Sequence, residues 1–324
     1  MTISISSVKL RGIMKKIKVA VIGVGHLGKI HARIYSECKD VQLFGICDID
    51  TEKAKLQAQN FNCISFSDYK QCLNKVDAVS IAAPTSNHFK IAKYFLGNKV
   101  HVLVEKPITT TTEEAEKLIK LAKINKRVLQ VGHVERFNPA IKTIKGLCKN
   151  PKFIECHRLS PYPKRGTDIN VVLDLMIHDI DIILTLVRSP LKTCQAVGIN
   201  VLSSCEDIAN SRLEFKNGTV CNITASRISD DVMRKLRIFQ KNSYISLDYA
   251  SQKINFYKKT ATSIIKKEIN VSKKEPLVEE IHSFVECIKK GKQPIVCGQD
   301  AKNALHLAHY ITKQIRKSRK KFAR

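Results

Sequence analysis

Three residues of the run VLDLMIHDID have types and a spacing suited to proton transfer. Asp174, His178 and Asp181 follow one another at intervals of four and three, so on a helix predicted for residues 169–187 they project from one face. A carboxylate one turn from a histidine fixes the imidazole tautomer and stabilises its protonated form, as a general base requires. An acidic helix N-terminus beside a histidine that serves only packing gives the same pattern, and the spacing leaves both interpretations open.

A glycine-rich turn near the start of the chain predicts a dinucleotide site. An apolar strand at residues 17–22 runs into GVGHLG. Gly23 permits the tight turn, Gly25 lets the backbone approach a pyrophosphate, and Gly28 lets the next helix pack closely on the sheet. The phosphates are expected on the free N–H groups of a helix that begins near His26.

An acidic residue in the right place indicates which dinucleotide this is. The second predicted strand, residues 41–47, is followed by Asp48, twenty residues after Gly28. A carboxylate there accepts hydrogen bonds from the ribose hydroxyls of NAD and repels the extra phosphate of NADP. Lys53 and Lys55 lie nearby, so the sequence favours NAD and leaves NADP as the less favoured alternative.

A lysine stands at the end of a predicted central strand. The run VEKP places Lys106 directly after the apolar residues 100–104 and before Pro107. Beside a positively charged nicotinamide ring, the ammonium form of Lys106 is disfavoured, so it exchanges a proton more readily than a lysine in water. By itself an exposed lysine at a strand end is the simpler interpretation, because most lysines are exposed.

The elements that must position these residues suggest two domains. Strands alternate with helices through residue 135, which predicts a doubly wound parallel sheet, a Rossmann domain. Beyond it, one long helix is followed by six strand-like runs and two final helices, which predicts an α+β domain with a large antiparallel sheet. The predicted division is an unstructured extension at residues 1–14, a dinucleotide-binding domain at 15–135 and a substrate-binding and oligomerisation domain at 136–324.

Composition limits the class of protein. The net charge of +27 comes from 56 basic residues, mostly lysine, against 29 acidic residues, spread over all 324 positions. This indicates a solvated surface that would attract an anionic substrate, and no nucleic-acid motif accompanies it. Eleven cysteines without a CxxC pair indicate a reduced, cytoplasmic protein with no structural metal. No apolar run reaches the length of a membrane span, so no membrane partner is expected.

Together, the runs GVGHLGKIHARIY, AAPTSNHF and VEKP, with Asp174 and His178, resemble the Gfo/Idh/MocA oxidoreductases in order and separation over nearly the whole chain. The resemblance implies that Lys106, His178 and Asp174 surround the substrate carbon and the nicotinamide. It also implies a cis Lys106–Pro107 bond and a homodimer or homotetramer. The cofactor contacts that it implies, with those of the glycine turn, are Gly23, Gly25, His26, Leu27, Gly28, Asp48, Pro84, Thr85, Asn87, His88, Glu105 and Lys106.

The substrate expectation comes from further segments. Residues 168–172 lack the glycine cluster of many family members, whereas HVERFNPA, HRLSPYPKRGTDINVVLDLMIHDID and TASRIS resemble the subgroup acting on UDP-N-acetylglucosamine. Oxidation at C3, in variant lipid A synthesis, is therefore expected, with His178 as base, Asp174 orienting its imidazole and Lys106 stabilising the oxyanion. Guanidinium groups pair well with phosphate oxygens. The expected substrate-binding residues are Arg136, Asn138, Arg158, Lys164, Arg165, Asp174 and His178.

The sequence leaves two rival functions open. The same site could oxidise another alcohol, such as an inositol, a free sugar, or a glycoside cleaved through a transient ketone. A dinucleotide-binding sensor without turnover is the alternative from another class. Lys106, Asp174 and His178 together argue against the sensor, because a sensor needs no base facing the cofactor.

Overall fold

The computed structural model describes residues 16–162 and 169–322. The expectations for residues 1–14 and for Lys164 and Arg165 therefore lie outside the described residues. The strands are β1 (Ile17–Ile22), β2 (Val41–Cys47), β3 (Ile64–Phe66), β4 (Ala78–Ile81), β5 (His101–Glu105), β6 (Leu129–Gly132), β7 (Phe153–Leu159), β8 (Leu191–Ile199), β9 (Ile208–Phe215), β10 (Val220–Ser226), β11 (Met233–Gln240), β12 (Ser243–Asp248), β13 (Lys253–Lys259) and β14 (Ile264–Ile269). The α-helices are α1 (His26–Glu37), α2 (Thr51–Asn60), α3 (Thr85–Gly97), α4 (Thr112–Ile124), α5 (Pro139–Leu147), α6 (Ile177–Val187), α7 (Pro276–Lys290) and α8 (Gly298–Phe322).

The first six strands form the predicted doubly wound parallel sheet. Its order is β3-β2-β1-β4-β5-β6, and every neighbouring pair is parallel. The central strands are apolar runs because helices cover both faces of such a sheet. All carboxyl ends meet at one edge, and the order reverses between β1 and β4, where ligands collect in sheets of this kind.

The other eight strands form a mostly antiparallel sheet, which confirms the predicted second architecture. Its order is β14-β13-β12-β11-β7-β10-β9-β8, and β7 and β10 pair in parallel. One face packs against α5, α6 and α8, with residues such as Ile154, Ile223 and Ile238 fully buried there. The opposite face carries a row of aromatic rings whose neighbouring centroids lie 4.7–5.6 Å apart, made by Phe153, Phe239, Tyr244 and Tyr257.

Of the last two helices, α7 packs on the first sheet and α8 packs on both. Ile281 and Phe284 of α7 pack in the core of the first domain with Val21 of β1. Helix α8 contributes Leu305 to the core of the first domain and Ile311 to the core of the second. Helix α8 therefore contributes to the cores of both domains.

Several short elements carry no sequence pattern that predicts them. Strand β14, for example, is almost entirely exposed, so its residues show no alternation between apolar and polar types. Helix α2, by contrast, begins after an N-cap residue: the Asp50 side chain accepts a hydrogen bond from the Lys53 backbone N–H. Within the described part of the chain, none of the helices has the length and apolar character needed to cross a membrane.

Candidate functional site

The glycine turn has the geometry that the sequence predicts. Gly23 has a φ of 87°, and a Cβ there would lie 2.8 Å from the Ala83 nitrogen. A Cβ on Gly28 would lie 1.9 Å from the Gly23 carbonyl oxygen, so only glycine allows α1 to pack this closely. A Cβ on Gly25 would instead meet nothing within 4 Å, which leaves open space beside the turn.

Helix α1 presents its free N-terminus to that open space. Its N-cap, Gly25, makes no side-chain cap, and its first turn contains no acidic residue. Gly25, His26 and Leu27 are exposed. Backbone N–H groups without internal partners, together with the positive end of the helix dipole, bind a phosphate. These residues therefore fit the pyrophosphate of a dinucleotide.

Asp48 links the glycine turn to the end of β2. Its Oδ2 accepts a hydrogen bond from the Val24 N–H at 2.7 Å, and its Oδ1 accepts one from the Asp50 N–H at 3.0 Å. Each carboxylate oxygen keeps a further lone pair for a ribose hydroxyl. The two lysines nearby are engaged with other carboxylates: Lys53 lies 3.3 Å from Asp50, and Lys55 lies 2.8 Å from Glu52.

The second predicted cofactor segment begins α3. Pro84 is its N-cap, and Thr85 and Asn87 lie in its first turn. His88 was expected to contact the cofactor, but it is buried, with Nδ1 2.8 Å from the Pro107 carbonyl and Nε2 2.8 Å from the Ala83 carbonyl. Burial lowers the pKa of His88, and the contacts of its ring with the two carbonyls connect the start of α3 to Pro107.

Lys106 reaches across the cleft to the second domain. The Lys106–Pro107 bond is cis, as expected. The ammonium Nζ donates to the backbone carbonyl of Asp174 at 2.7 Å and to its Oδ1 at 3.1 Å. Lys106 and Asp174 are thus brought together at the carboxyl edge of the parallel sheet.

The expected hydrogen bond between Asp174 and His178 is absent among the described residues. Nδ1 of His178 is buried without a partner there, and the Asp174 carboxylate faces Lys106 instead. The physical reason is local: Val172–Met176 forms a π-helical turn rather than the predicted α-helix. One extra residue in a turn rotates the following side chains by about 100°, so the i, i+4 stacking that the spacing predicts is lost.

His178 is half-buried in the cleft and has basic side chains nearby. Burial is the largest cause that lowers its pKa well below the usual value for histidine, and Lys106, Arg158, His133 and Arg234 lower it further. The ring is therefore neutral at physiological pH and available to accept a proton.

Glu105 faces away from the cleft. Its Oε1 lies 3.1 Å from Nε2 of His31, whose Nδ1 lies 2.7 Å from the Ser80 hydroxyl. Glu280 of α7 completes this buried cluster, in which one ligand-type atom from each of the three acid–base residues lies within 4.8 Å of the others. The Glu105 carboxylate is therefore engaged inside the protein, and a cofactor contact by Glu105 stays a prediction.

Two of the expected phosphate ligands are consumed by internal ion pairs. Arg158 is 4% exposed and binds Asp179 through Nε and Nη2, and Glu135 through Nη1 at 3.1 Å. Arg136 donates to Asp181 at 2.7 Å, so the Asp181 carboxylate is engaged with Arg136.

Asn138, expected to bind substrate, is likewise an internal residue. It is 2% exposed, its Oδ1 caps α5 by accepting the Ala140 N–H, and its Nδ2 donates to the Tyr249 carbonyl at 3.3 Å. Arg136, Asn138 and Arg158 therefore make internal contacts that stabilise this part of the fold.

Two residues of the site region were missed by the sequence reasoning. His133 follows β6 directly, is buried, and has both ring nitrogens without partners among the described residues. Its place at the carboxyl end of a parallel strand was a usable signal. Arg234 begins the inward face of β11 and lies close enough to lower the pKa of His178. Nothing in the sequence distinguishes it from other surface arginines.

Family comparisons cover both domains. The family profile described as "oxidoreductase family, NAD-binding Rossmann fold" matches residues 17–133. The profile described as "GFO/IDH/MocA C-terminal domain" matches residues 149–243.

Individual relatives share much of the chain. UDP-N-acetylglucosamine 3-dehydrogenase from Acidithiobacillus ferrooxidans is 36% identical over 291 residues, covering 88% of this chain and 92% of that protein. Its solved structure superposes with a TM-score of 0.88 at 34% identity, covering 93% of this chain and 98% of that one. Inositol 2-dehydrogenase 1 from Mycolicibacterium vanbaalenii is 33% identical over 180 residues, covering 52% of each chain.

Proposed function

The chain belongs to the Gfo/Idh/MocA family of oxidoreductases, and on that premise we propose that it oxidises the C3 hydroxyl of UDP-N-acetylglucosamine with NAD⁺. The product is the 3-keto nucleotide sugar, a substrate suited to an aminotransferase in variant lipid A synthesis. The observation that carries the proposal is the meeting of Lys106 with the His178-bearing segment at the carboxyl edge of the parallel sheet. The likeness to the Acidithiobacillus enzyme supports the choice of nucleotide sugar.

NAD is the proposed cofactor and NADP the less favoured one. The Asp48 carboxylate at the end of β2 supports this choice, because a negative charge there repels the 2′-phosphate of NADP. Lys53 and Lys55 lie in exposed ion pairs with Asp50 and Glu52, which offset part of their positive charge. Bound at the glycine turn, NAD⁺ supplies the hydride acceptor, and the remaining steps fall to the chain's own residues.

His178 is the proposed base. Because its low pKa keeps the ring neutral, it accepts the proton of the substrate hydroxyl as the C–H bond breaks. The surrounding cations then disfavour the imidazolium, which promotes rapid release of that proton.

Lys106 is the proposed electrophilic partner. Two of its three ammonium hydrogens are held by the carbonyl and the carboxylate of Asp174, which leaves one for the substrate oxygen. A donor fixed in advance stabilises the negative charge that develops on that oxygen without reorganising during the reaction. Asp174 thus acts through Lys106, as a positioning residue.

A homodimer formed through the open face of the second sheet is also proposed. The aromatic row on that face is only half-buried within one chain. A two-fold axis through the row would place it against itself and cover the rings in both copies.

The test uses the purified full chain with UDP-N-acetylglucosamine, NAD⁺ and a glutamate-dependent aminotransferase that removes the ketone. Formation of NADH at 340 nm, abolished in His178→Ala with NAD⁺ affinity retained, is expected. No NADH from this substrate, but NADH from an inositol or a free sugar, would replace the proposed substrate. No NADH from any alcohol, with NAD⁺ bound, would favour the sensor.

A further inference from the structure

Arginines on the helix-covered face of the second sheet have counter-ions, with one exception. Arg158 is paired with Asp179 and Glu135, and Arg227 with Asp207. Arg234 is exposed and forms no ion pair within residues 16–162 and 169–322. Because the Arg234 guanidinium is exposed and has no carboxylate partner there, it is available to bind an anion.

The strand register fixes where this arginine lies. Along β11, Leu236 and Ile238 are buried against the helices, so Arg234, two residues before Leu236, projects to the same face. It stands directly opposite Arg158 of β7. The Arg158 guanidinium grips Asp179, the residue after His178. Arg234 therefore lies one strand away from Arg158, the side chain that binds helix α6 next to His178.

The charges around His178 indicate that the ligand of Arg234 is an anion. Asp174 compensates Lys106, and two carboxylates compensate Arg158. Arg234 remains as a free positive charge near the cleft. The pyrophosphate of the cofactor is not its partner, because the glycine turn and the α1 N-terminus that suit that group belong to the other domain.

We propose that Arg234 is a substrate-binding residue that donates hydrogen bonds to phosphate oxygens of a nucleoside diphosphate sugar at the mouth of the cleft. The proposal rests on the proposed function and adds a specific residue for substrate recognition. A planar guanidinium binds two phosphate oxygens at once, a geometry that lysine does not reproduce.

The first experiment measures binding without turnover. UDP is titrated by calorimetry into the full-length protein saturated with NADH, for the wild type, Arg234→Ala, Arg234→Lys and the control Arg237→Ala. Arg237 lies on the same strand but on the opposite face, paired with Glu155. We expect the Kd for UDP to rise about tenfold or more in Arg234→Ala, less in Arg234→Lys, and not in the control. Unchanged thermal midpoints exclude misfolding as the cause.

The second experiment is steady-state kinetics on the same proteins. Arg234→Ala is expected to raise KM for UDP-N-acetylglucosamine about tenfold while leaving KM for NAD⁺ within twofold. If the wild type oxidises the nucleotide sugar and Arg234→Ala has the same KM and the same Kd for UDP, Arg234 is not a phosphate ligand and the proposed function stands. If the wild type does not oxidise it, the proposed function fails, and the UDP titration still decides the role of Arg234.

Discussion

The ammonium of Lys106 lies 2.7 Å from the backbone carbonyl oxygen of Asp174 and 3.1 Å from its carboxylate. The first residue directly follows β5 of the parallel sheet, and the second lies in the π-helical turn of the other domain. A π-turn changes which carbonyls are used inside the helix, and here one of them faces the lysine. The contact therefore joins the two domains at the atoms that would face the substrate.

This contact predicts the effect of changing Asp174. In Asp174→Ala the Lys106 ammonium loses its carboxylate partner and its fixed direction, so kcat is expected to fall about 10²-fold. Asp174→Asn keeps an acceptor oxygen and should fall between that variant and the wild type. NAD⁺ affinity, measured by titration, should stay within twofold. Asp230→Asn, an exposed carboxylate elsewhere, is the control, and a kcat for Asp174→Ala within threefold of wild type would contradict the assignment.

The pH dependence should reveal the state of His178. Burial and nearby cations lower its pKa, so the protonated, inactive form appears only below the usual histidine range. We expect kcat/KM to stay constant from pH 8 down to 6.5 and to fall only at lower pH. In Lys106→Met one of those cations is gone, so the acid limb should move to higher pH in the residual activity. An acid limb at or above pH 7 in the wild type would show that His178 is not the base.

The difference between the predicted and the observed site has a physical origin. The glycine turn and Asp48 are local features with steric rules of their own, so the sequence predicts their geometry directly. The partner of Asp174 depends on a π-turn, which leaves no trace in a 3.6-residue pattern. The sequence also does not reveal which arginine lacks a counter-ion, because the carboxylates that neutralise Arg158 come from distant parts of the chain.

Asp48 should set the choice between NAD and NADP. Asp48→Ala removes the acceptor for the ribose hydroxyls and the charge that repels a 2′-phosphate. We expect kcat/KM with NAD⁺ to fall about tenfold and kcat/KM with NADP⁺ to rise, measured with one sugar substrate at saturation. Asp48→Asn, which keeps an acceptor for the Val24 N–H, separates loss of charge from loss of the turn. If the ratio of kcat/KM with NAD⁺ to kcat/KM with NADP⁺ is unchanged in both variants, Asp48 does not select the cofactor.

The aromatic row should decide the oligomeric state. Tyr244 stacks between Phe239 at 4.7 Å and Tyr257 at 5.2 Å, so Tyr244→Asp places a charge at its middle. Burying that charge in a two-fold contact is unfavourable, and light scattering should show a monomer where the wild type is larger. Thr262→Asp, in an exposed turn, is the control for added charge. A Tyr244→Asp protein with the mass of the wild type would place the interface elsewhere.

The buried cluster behind Lys106 predicts a stability effect. Burial and the neighbouring Glu105 raise the pKa of Glu280 well above its usual value, and both of its oxygens lack partners among the described residues. In the unfolded chain Glu280 ionises near its usual pKa, whereas in the folded protein it keeps its proton to higher pH. At pH values between the unfolded and the folded pKa, folding therefore takes up a proton. The free energy of unfolding therefore falls as pH rises through that window, by up to about 1.4 kcal/mol per pH unit.

Glu280→Gln removes this proton uptake and supplies an amide that can donate to the Glu105 carboxylate. Its free energy of unfolding at pH 8, measured by urea denaturation, should exceed that of the wild type by about 1 kcal/mol or more, with the difference shrinking toward pH 5. Glu279→Gln, on the same helix but paired with Lys274 at the surface, should show no such trend. If Glu280→Gln is less stable than the wild type at pH 8, the cluster holds an ionised Glu280. In that case the substitution removes a carboxylate whose charge stabilises the folded protein.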